Sequence, residues 1–201
     1  NPVTGQWSVI GCTQCAAGRY EDWPGSATCT RCVAGKYLDQ TGQQSDTCTD
    51  CGAGKYNSAT GASEASQCTA CPVGTYSGAA VATAAPDCIA GDRGRANSAS
   101  GQTTVAACTA CAAGRYQAVI GAASCDACAA GKYGDEAAQQ SDTCKPCGAG
   151  KYNSATGASE GSQCTACPVG TYSGAAVATA SAGCILCARG TASPASGRMS
   201  A

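Results

Sequence analysis

Nineteen cysteines dominate the chemistry open to this 201-residue chain, and every one belongs to a C-x-x-C frame. Nine complete frames begin at Cys12, Cys29, Cys48, Cys68, Cys108, Cys125, Cys144, Cys164 and Cys184. A tenth is broken at Cys88-Ile89-Ala90-Gly91, where glycine stands in place of the second cysteine. Thiols paired at this spacing can close disulfides, hold zinc, or cycle between dithiol and disulfide. The segment from Cys12 to Cys32 has the C-x2-C-x13-C-x2-C spacing of a zinc ribbon. The series then continues at intervals of 13–19 residues without resolving into groups of four, and the chain has no histidine. A redox-active pair would sit at a helix start in an α/β fold, and no βαβ pattern is present. Disulfide closure is therefore the expected chemistry. Cytosolic conditions would keep so many thiols reduced, so the expected location is secreted, extracellular or cell-surface.

Little else in the chain offers a reactive centre. Without histidine the commonest general base is missing. Glu21-Asp22 and Asp135-Glu136 are adjacent acidic pairs, read as solvated loop charges rather than an acid/base pair or a calcium site. The glycine clusters lack the strand, Lys and helix of a phosphate cradle. The expectation is no enzyme, no cofactor and no metal. Formal net charge is −1 with scattered Lys and Arg, which excludes a basic stripe for nucleic acid. No apolar run approaches the roughly 18 residues that span a bilayer. Asn57, Asn97 and Asn153 are each followed by Ser-Ala, so no N-glycosylation sequon exists. Ser and Thr set among Ala and Gly are candidate O-glycan acceptors, and Ser193-Pro194 is the most suggestive context. The chain starts at Asn1 with no visible signal peptide, and reads as a mature product or a segment of a longer one.

The elements that position the cysteines are set by two nested repeats. The outer one has a period of 96 residues: Cys12 maps to Cys108, Cys51 to Cys147, Cys88 to Cys184. Its 34-residue stretch from Cys51 recurs from Cys147 with only Ala65 changed, to Gly161. The inner one is a module of about 17–20 residues that opens C-x-x-G-[KRT]-Y at the second cysteine of each frame. All eight tyrosines hold this position: Tyr20, Tyr37, Tyr56, Tyr76, Tyr116, Tyr133, Tyr152 and Tyr172. The fifth module of each half is degenerate, with Ala96 and Ala192 in place of tyrosine. Residues 1–9, 97–105 and 193–201 share one frame, so the units run 1–96 and 97–192, with 193–201 a tail or the start of a further unit.

Aromatics are 5% of the chain, Phe is absent and there is one Met. A fully buried large apolar side chain contributes roughly 1.5–3 kcal/mol, so a chain this poor in them cannot build one large core. The glycine three residues after each opening cysteine marks a tight turn with positive φ. Gly-Lys-Tyr and Gly-Thr-Tyr read as short strands entering hairpins. The Ala-rich piece 78–84 has no amphipathic face and is not expected to be a stable helix. Trp7 and Trp23 are the only tryptophans, candidates for contact anchors or for burial on a local disulfide.

Spacing alone does not fix connectivity. The repeat suggests one scheme, in which each module closes on itself by pairing its opening cysteine with the first cysteine of the next frame. That gives Cys15–Cys29, Cys32–Cys48, Cys51–Cys68, Cys71–Cys88, Cys111–Cys125, Cys128–Cys144, Cys147–Cys164 and Cys167–Cys184, with each tyrosine over a bridge. Cys12, Cys108 and Cys187 are left over, as unpaired or intermolecular thiols. C-x-x-G-x-Y followed by a small-residue loop and C-x-x-C resembles the cysteine-rich repeats of ephrin-receptor-like ectodomains. It also resembles the first submodule of tumour-necrosis-factor-receptor cysteine-rich domains, and similar arrays occur in protist and algal surface proteins. The resemblance covers residues 12–192 and implies one disulfide per submodule, joined as in the scheme above.

The expected fold class is small and disulfide-rich: an elongated, solenoid-like rod of tandem short β-hairpin modules with little regular secondary structure. The expected function is a structural subunit of an extracellular or cell-surface filament, self-associating head to tail and side by side. A heterologous contact that does not close makes a fibre. The alternative is the stalk or ligand-binding array of a surface receptor or surface antigen.

Overall fold

A computed structural model describes residues 12–200, so Trp7 and the frame of residues 1–9 lie outside the described residues. The chain forms two compact units, one of residues up to 71 together with 77–88, the other of 72–76 and residues from 89 onward. Each unit is a run of two-stranded antiparallel hairpins, with no α-helix among the described residues. This is the tandem-hairpin, disulfide-rich class expected from the sequence. In the first unit Arg19–Tyr20 pairs with Thr30–Arg31, Lys36–Tyr37 with Thr49–Asp50, and Lys55–Tyr56 with Thr69–Ala70. Six more hairpins form in the second, from Thr75–Tyr76 with Ile89–Ala90 through Thr171–Tyr172 with Ile185–Leu186.

The local cause is the same in every module. Its glycine has φ between +75° and +85°, from Gly94 to Gly190. In the first module the Arg19 N–H donates to the Ala16 carbonyl at 3.1 Å across this turn. Glycine at the third position of a four-residue turn with positive φ is a type II turn, which side chains resist. The turn delivers the Lys/Arg/Thr-Tyr strand, and the two residues inside the next C-x-x-C supply its partner strand. Eight disulfides join the opening cysteine of a module to the cysteine that precedes that partner strand, with Cα separations of 5.5–5.8 Å.

Loop length selects the remaining structure. Four bridges span 17 residues, and each of those loops ends in a 3-10 turn just before the closing cysteine: Ala65–Gln67, Ala85–Asp87, Gly161–Gln163 and Ser181–Gly183. The bridges that span 14 or 16 residues have no such turn. In three of these four turns the side chain at the third position, Gln67, Asp87 or Gln163, reaches back to the entering backbone. Gln67 Oε1 accepts the Ser63 and Glu64 N–H groups at 2.6 and 3.0 Å, and Asp87 Oδ2 accepts those of Thr83 and Ala84 at 2.7 and 3.0 Å. These donors hold the Asp87 carboxyl below the usual carboxylate range. A depressed carboxylate contributes stability above its unfolded pKa and loses it as pH falls through the folded one. Acidification below the ordinary Asp range is therefore expected to release the Thr83 and Ala84 amides. The neutral Gln67 cap leaves Ser63 and Glu64 protected, and amide exchange against pH compares the two.

Modules are coupled through backbone. The module glycine donates its N–H to the residue after the next tyrosine position: Gly18 to Leu38 at 2.7 Å and Gly35 to Asn57 at 2.8 Å in the first unit, Gly94 to Gln117 at 2.8 Å and Gly114 to Gly134 at 2.6 Å in the second. Its carbonyl accepts from the next opening residue, as Cys32 to Gly18 at 3.0 Å and Cys128 to Gly114 at 2.8 Å. The coupling also reaches two modules ahead. A Cβ on Gly18 would run into the Gly61 carbonyl oxygen, and one on Gly94 into that of Ala138. Contact with the second neighbour goes beyond the nearest-neighbour stacking that repeat proteins lead one to expect.

What is buried follows from this close approach. Among the described residues the core holds cysteine sulfur, the alanines Ala62, Ala82, Ala158 and Ala178, and one large aliphatic side chain, Leu38. The residue after the tyrosine position is buried too, as Asn57, Ser77, Asn97, Gln117, Asn153, Ser173 and Ser193. Successive strand residues face opposite ways, so turning this residue inward leaves the tyrosine half-buried on the other side. The buried amides are used locally: the Asn57, Asn97 and Asn153 Oδ1 atoms accept the N–H two residues on, each at 3.0 Å.

Candidate functional site

The broken rung lies in the second unit. Gly91 and Cys108 are both buried, and Cys108 is 1% exposed and forms no disulfide. The surrounding frame is that of an intact rung. The Gly91 N–H donates to the Gly74 carbonyl at 2.9 Å, and its own carbonyl accepts from Gly121 at 2.8 Å. The Arg95 guanidinium donates to the Cys108 carbonyl at 2.9 Å. A Cβ added at Gly91 would stand 2.7 Å from Cys108 Sγ and 3.2 Å from Cys108 Cβ. The thiol thus occupies the place where a bridging partner would begin. Enclosed in this way it is a packing group, since reactive thiols need exposure.

The other two cysteines outside the eight disulfides are placed differently. Cys12 is exposed, and Cys187 is partly exposed with its N–H donating to the Gly170 carbonyl at 3.1 Å. Neither is enclosed as Cys108 is.

All eight tyrosines end the first strand of their hairpins and are half-buried. Burial and neighbouring carboxylates raise the phenol of Tyr20. The basic residue before the tyrosine is used inside its own module. Arg19 and Arg115 donate to the carbonyls of Cys29 and Cys125 at 3.4 and 3.1 Å, and Lys36 pairs with Asp50 at 3.2 Å.

The acidic pairs are also spoken for. Glu21 Oε1 accepts the Trp23 N–H at 3.0 Å. Asp135 takes both oxygens to Lys145 Nζ, at 2.8 and 2.7 Å. That bond holds the Asp135 carboxyl below its usual range and raises the Lys145 ammonium. No group of three potential metal ligands comes together among the described residues. No described helix is long and apolar enough to cross a membrane.

One sequence expectation needs correction here and one is narrowed. Ser193 is 5% exposed and its hydroxyl donates to the Ala195 carbonyl at 3.0 Å, so it is a poor glycan acceptor. Its place after the module's Ala192 turns it inward. Of the two readings offered for Trp23, its 75% exposure removes burial on a disulfide and leaves the contact anchor. The inward role of the residue after the tyrosine position has one signal in the sequence: polar residues recur three positions after most module glycines, as Asn57, Ser77, Asn97, Gln117, Asn153, Ser173 and Ser193.

Residues 98–143 match a family model described as tyrosine-protein kinase ephrin type A/B receptor-like. The curated proteins contain no match to the chain. The matched stretch holds the whole Cys111–Cys125 module with its hairpin and ends one residue before Cys144, which closes the next, and the same hairpin and bridge recur before and after it. The match and the run of tandem disulfide-bonded hairpins around it fit ephrin-receptor-like cysteine-rich repeats, which suggest an extracellular, receptor-like ectodomain.

Proposed function

We propose that this chain is a structural subunit of an extracellular or cell-surface filament, joined end to end by a bridge between Cys187 of one copy and Cys12 of the next. The observation that supports it is that Cys12 and Cys187 stand outside the eight disulfides and are exposed and partly exposed, whereas the third such cysteine, Cys108, is buried. In this reading the two are joined between copies. A heterologous contact of this kind does not close on itself and propagates.

Peptide mapping of native material without reduction tests the joint. A Cys12–Cys187 peptide found in oligomers and absent from monomers is the expected result, and intrachain partners for both cysteines would sink the idea. Negative-stain microscopy should then show filaments with an axial repeat. The family match favours a second reading, the stalk of a surface receptor, for which monodisperse particles would be seen instead.

A further inference from the structure

The two repeats are close copies that differ at one loop tip. Glu21-Asp22-Trp23-Pro24 follows Tyr20 in the first, and Gln117-Ala118-Val119-Ile120 follows Tyr116 in the second. Both tips stand clear of their own units: Trp23 is 75% exposed, Val119 64% and Ile120 59%. The second tip has described hairpins before and after it, so exposure belongs to the tip position itself. The first tip is also acidic. The Glu21 carboxylate accepts the Trp23 N–H at 3.0 Å, which fixes acid and indole in one turn. No basic residue lines the hollow between Glu21 and Gln44.

The second unit holds a surface of the opposite character. In the eight tyrosine modules the two residues after the opening cysteine are uncharged, whereas the module that opens at Gly91 carries Asp92-Arg93 there and Arg95 after its glycine. A groove of about 430 Å³ lies on this turn, lined by Asp92, Arg93, Arg95, Ile120, Ala138 and Gln140. Two arginines against one aspartate leave it net positive, and among the described residues none of the three has an ion-pair partner. Arg95 spends one donor on the Cys108 carbonyl and keeps the others of its guanidinium. Ile120 and Ala138 supply the apolar wall. Ala138 has φ of +57°, alone among the described non-glycine residues in being positive, and Gly42 stands at its place in the first repeat. The backbone would favour glycine there. A methyl is kept on the groove wall against that preference.

We infer that the Trp23 tip of one copy docks in this groove of another, with the ring on Ile120 and Ala138 and with Glu21 and Asp22 meeting Arg93 and Arg95. A guanidinium is drawn to the face of an indole, and Trp and Arg are the usual anchors of protein interfaces. The tip carries two negative charges and the groove a net positive one. The contact deepens the self-association proposed above and needs neither Cys12 nor Cys187.

The test uses the full chain with Cys12→Ser and Cys187→Ser, so that no interchain bridge forms, in sedimentation velocity over a concentration series. Its outcome is independent of the peptide map that tests the bridge. This parent should self-associate, less so at high salt. With Trp7→Phe added, Trp23 is the only tryptophan, and its emission should shift to the blue as concentration rises. Trp23→Ala and Ile120→Asp alter exposed side chains, and mass spectrometry confirms that the disulfides remain. Either should weaken association about 10- to 100-fold, the loss of one interface anchor. Mixed together they should form dimers, since one keeps the groove and the other the tip. Arg93→Glu should weaken association and Asp22→Arg in the same chain restore it. Ala138→Gly should raise the urea midpoint yet weaken association about 3-fold, the effect of one methyl lost. A parent that stays monomeric, Trp23 emission that ignores concentration, single variants that associate like the parent, or a mixture without dimers overturns the inference. A monomeric parent held by a heparin resin through Arg93 would assign the groove to an acidic polysaccharide instead.

Discussion

Gly91→Cys is expected to close a ninth disulfide, with Cys108, and to stabilise the second unit by about 3 kcal/mol, the chain-entropy value for a loop of roughly 15 residues. The geometry is already in place. Gly91 precedes Cys108 by 17 residues, the separation of the bridges Cys71–Cys88 and Cys167–Cys184. A 3-10 turn, Val105–Ala107, leads into Cys108 as such turns lead into Cys88 and Cys184. The backbone holds the opening position as it does in an intact rung: Gly91 to Gly74 at 2.9 Å matches Cys71 to Gly54 at 2.8 Å. Cys108 Sγ lies 2.7 Å from the Cβ that the substitution would add, so bonding replaces what is otherwise a clash. Gly91→Ala supplies the contrast. Its methyl meets the same sulfur without a bond and should destabilise by about 1–3 kcal/mol, the usual cost of overpacking. Removing the sulfur with Cys108→Ala should relieve that penalty. Urea denaturation reads the stabilities, and thiol titration of the unfolded protein counts the bridge. Two additional titratable thiols in Gly91→Cys, relative to the closed form, would show that the rung does not close.

The cysteine ladder, the glycine turns and the hairpins were legible in the sequence because each depends on residue type over a few positions. A left-handed turn needs glycine at Gly18 or Gly150 whatever surrounds it, and a disulfide needs two cysteines. The inward position after each tyrosine was not legible in the same way. Asn57, Ser77 and Gln117 are polar residues of a kind that usually marks exposed loop, and Leu38 at the same position is apolar, so their common inward direction comes from stacking on the neighbouring module. Contacts between second neighbours, such as Gly18 with Gly61, join residues 43 positions apart and leave no periodic signal in a chain of Gly, Ala and Ser. Ser193 was misjudged for that reason: Ser-Pro reads as exposed loop locally, while its register after Ala192 makes it part of the buried row.

Substitution of a module glycine separates local turn energy from coupling between modules. Gly114→Ala and Gly190→Ala impose the same backbone demand, with φ of +82° and +85°. An L-residue in that region costs about 1–2 kcal/mol. At Gly190 this should be the whole effect, since nothing lies within 4 Å of the added methyl. At Gly114 the methyl would also drive into the Gly157 carbonyl oxygen and stand 3.0 Å from the Ala158 carbonyl carbon. Those atoms are backbone of the module two ahead and cannot rotate aside. Making room strains the bonds from Gly114 N–H to the Gly134 carbonyl at 2.6 Å and from Cys128 N–H to the Gly114 carbonyl at 2.8 Å. Buried backbone groups left unpaired cost roughly 1–3 kcal/mol each. Gly114→Ala should therefore lose about 3–6 kcal/mol in total, against about 1–2 for Gly190→Ala. Amide exchange should accelerate at Cys128 and Gly157, in the two modules ahead, and stay unchanged there in Gly190→Ala. Equal losses for the two variants would mean that second-neighbour packing carries no stability. The eight bridges would then hold the modules as independent beads.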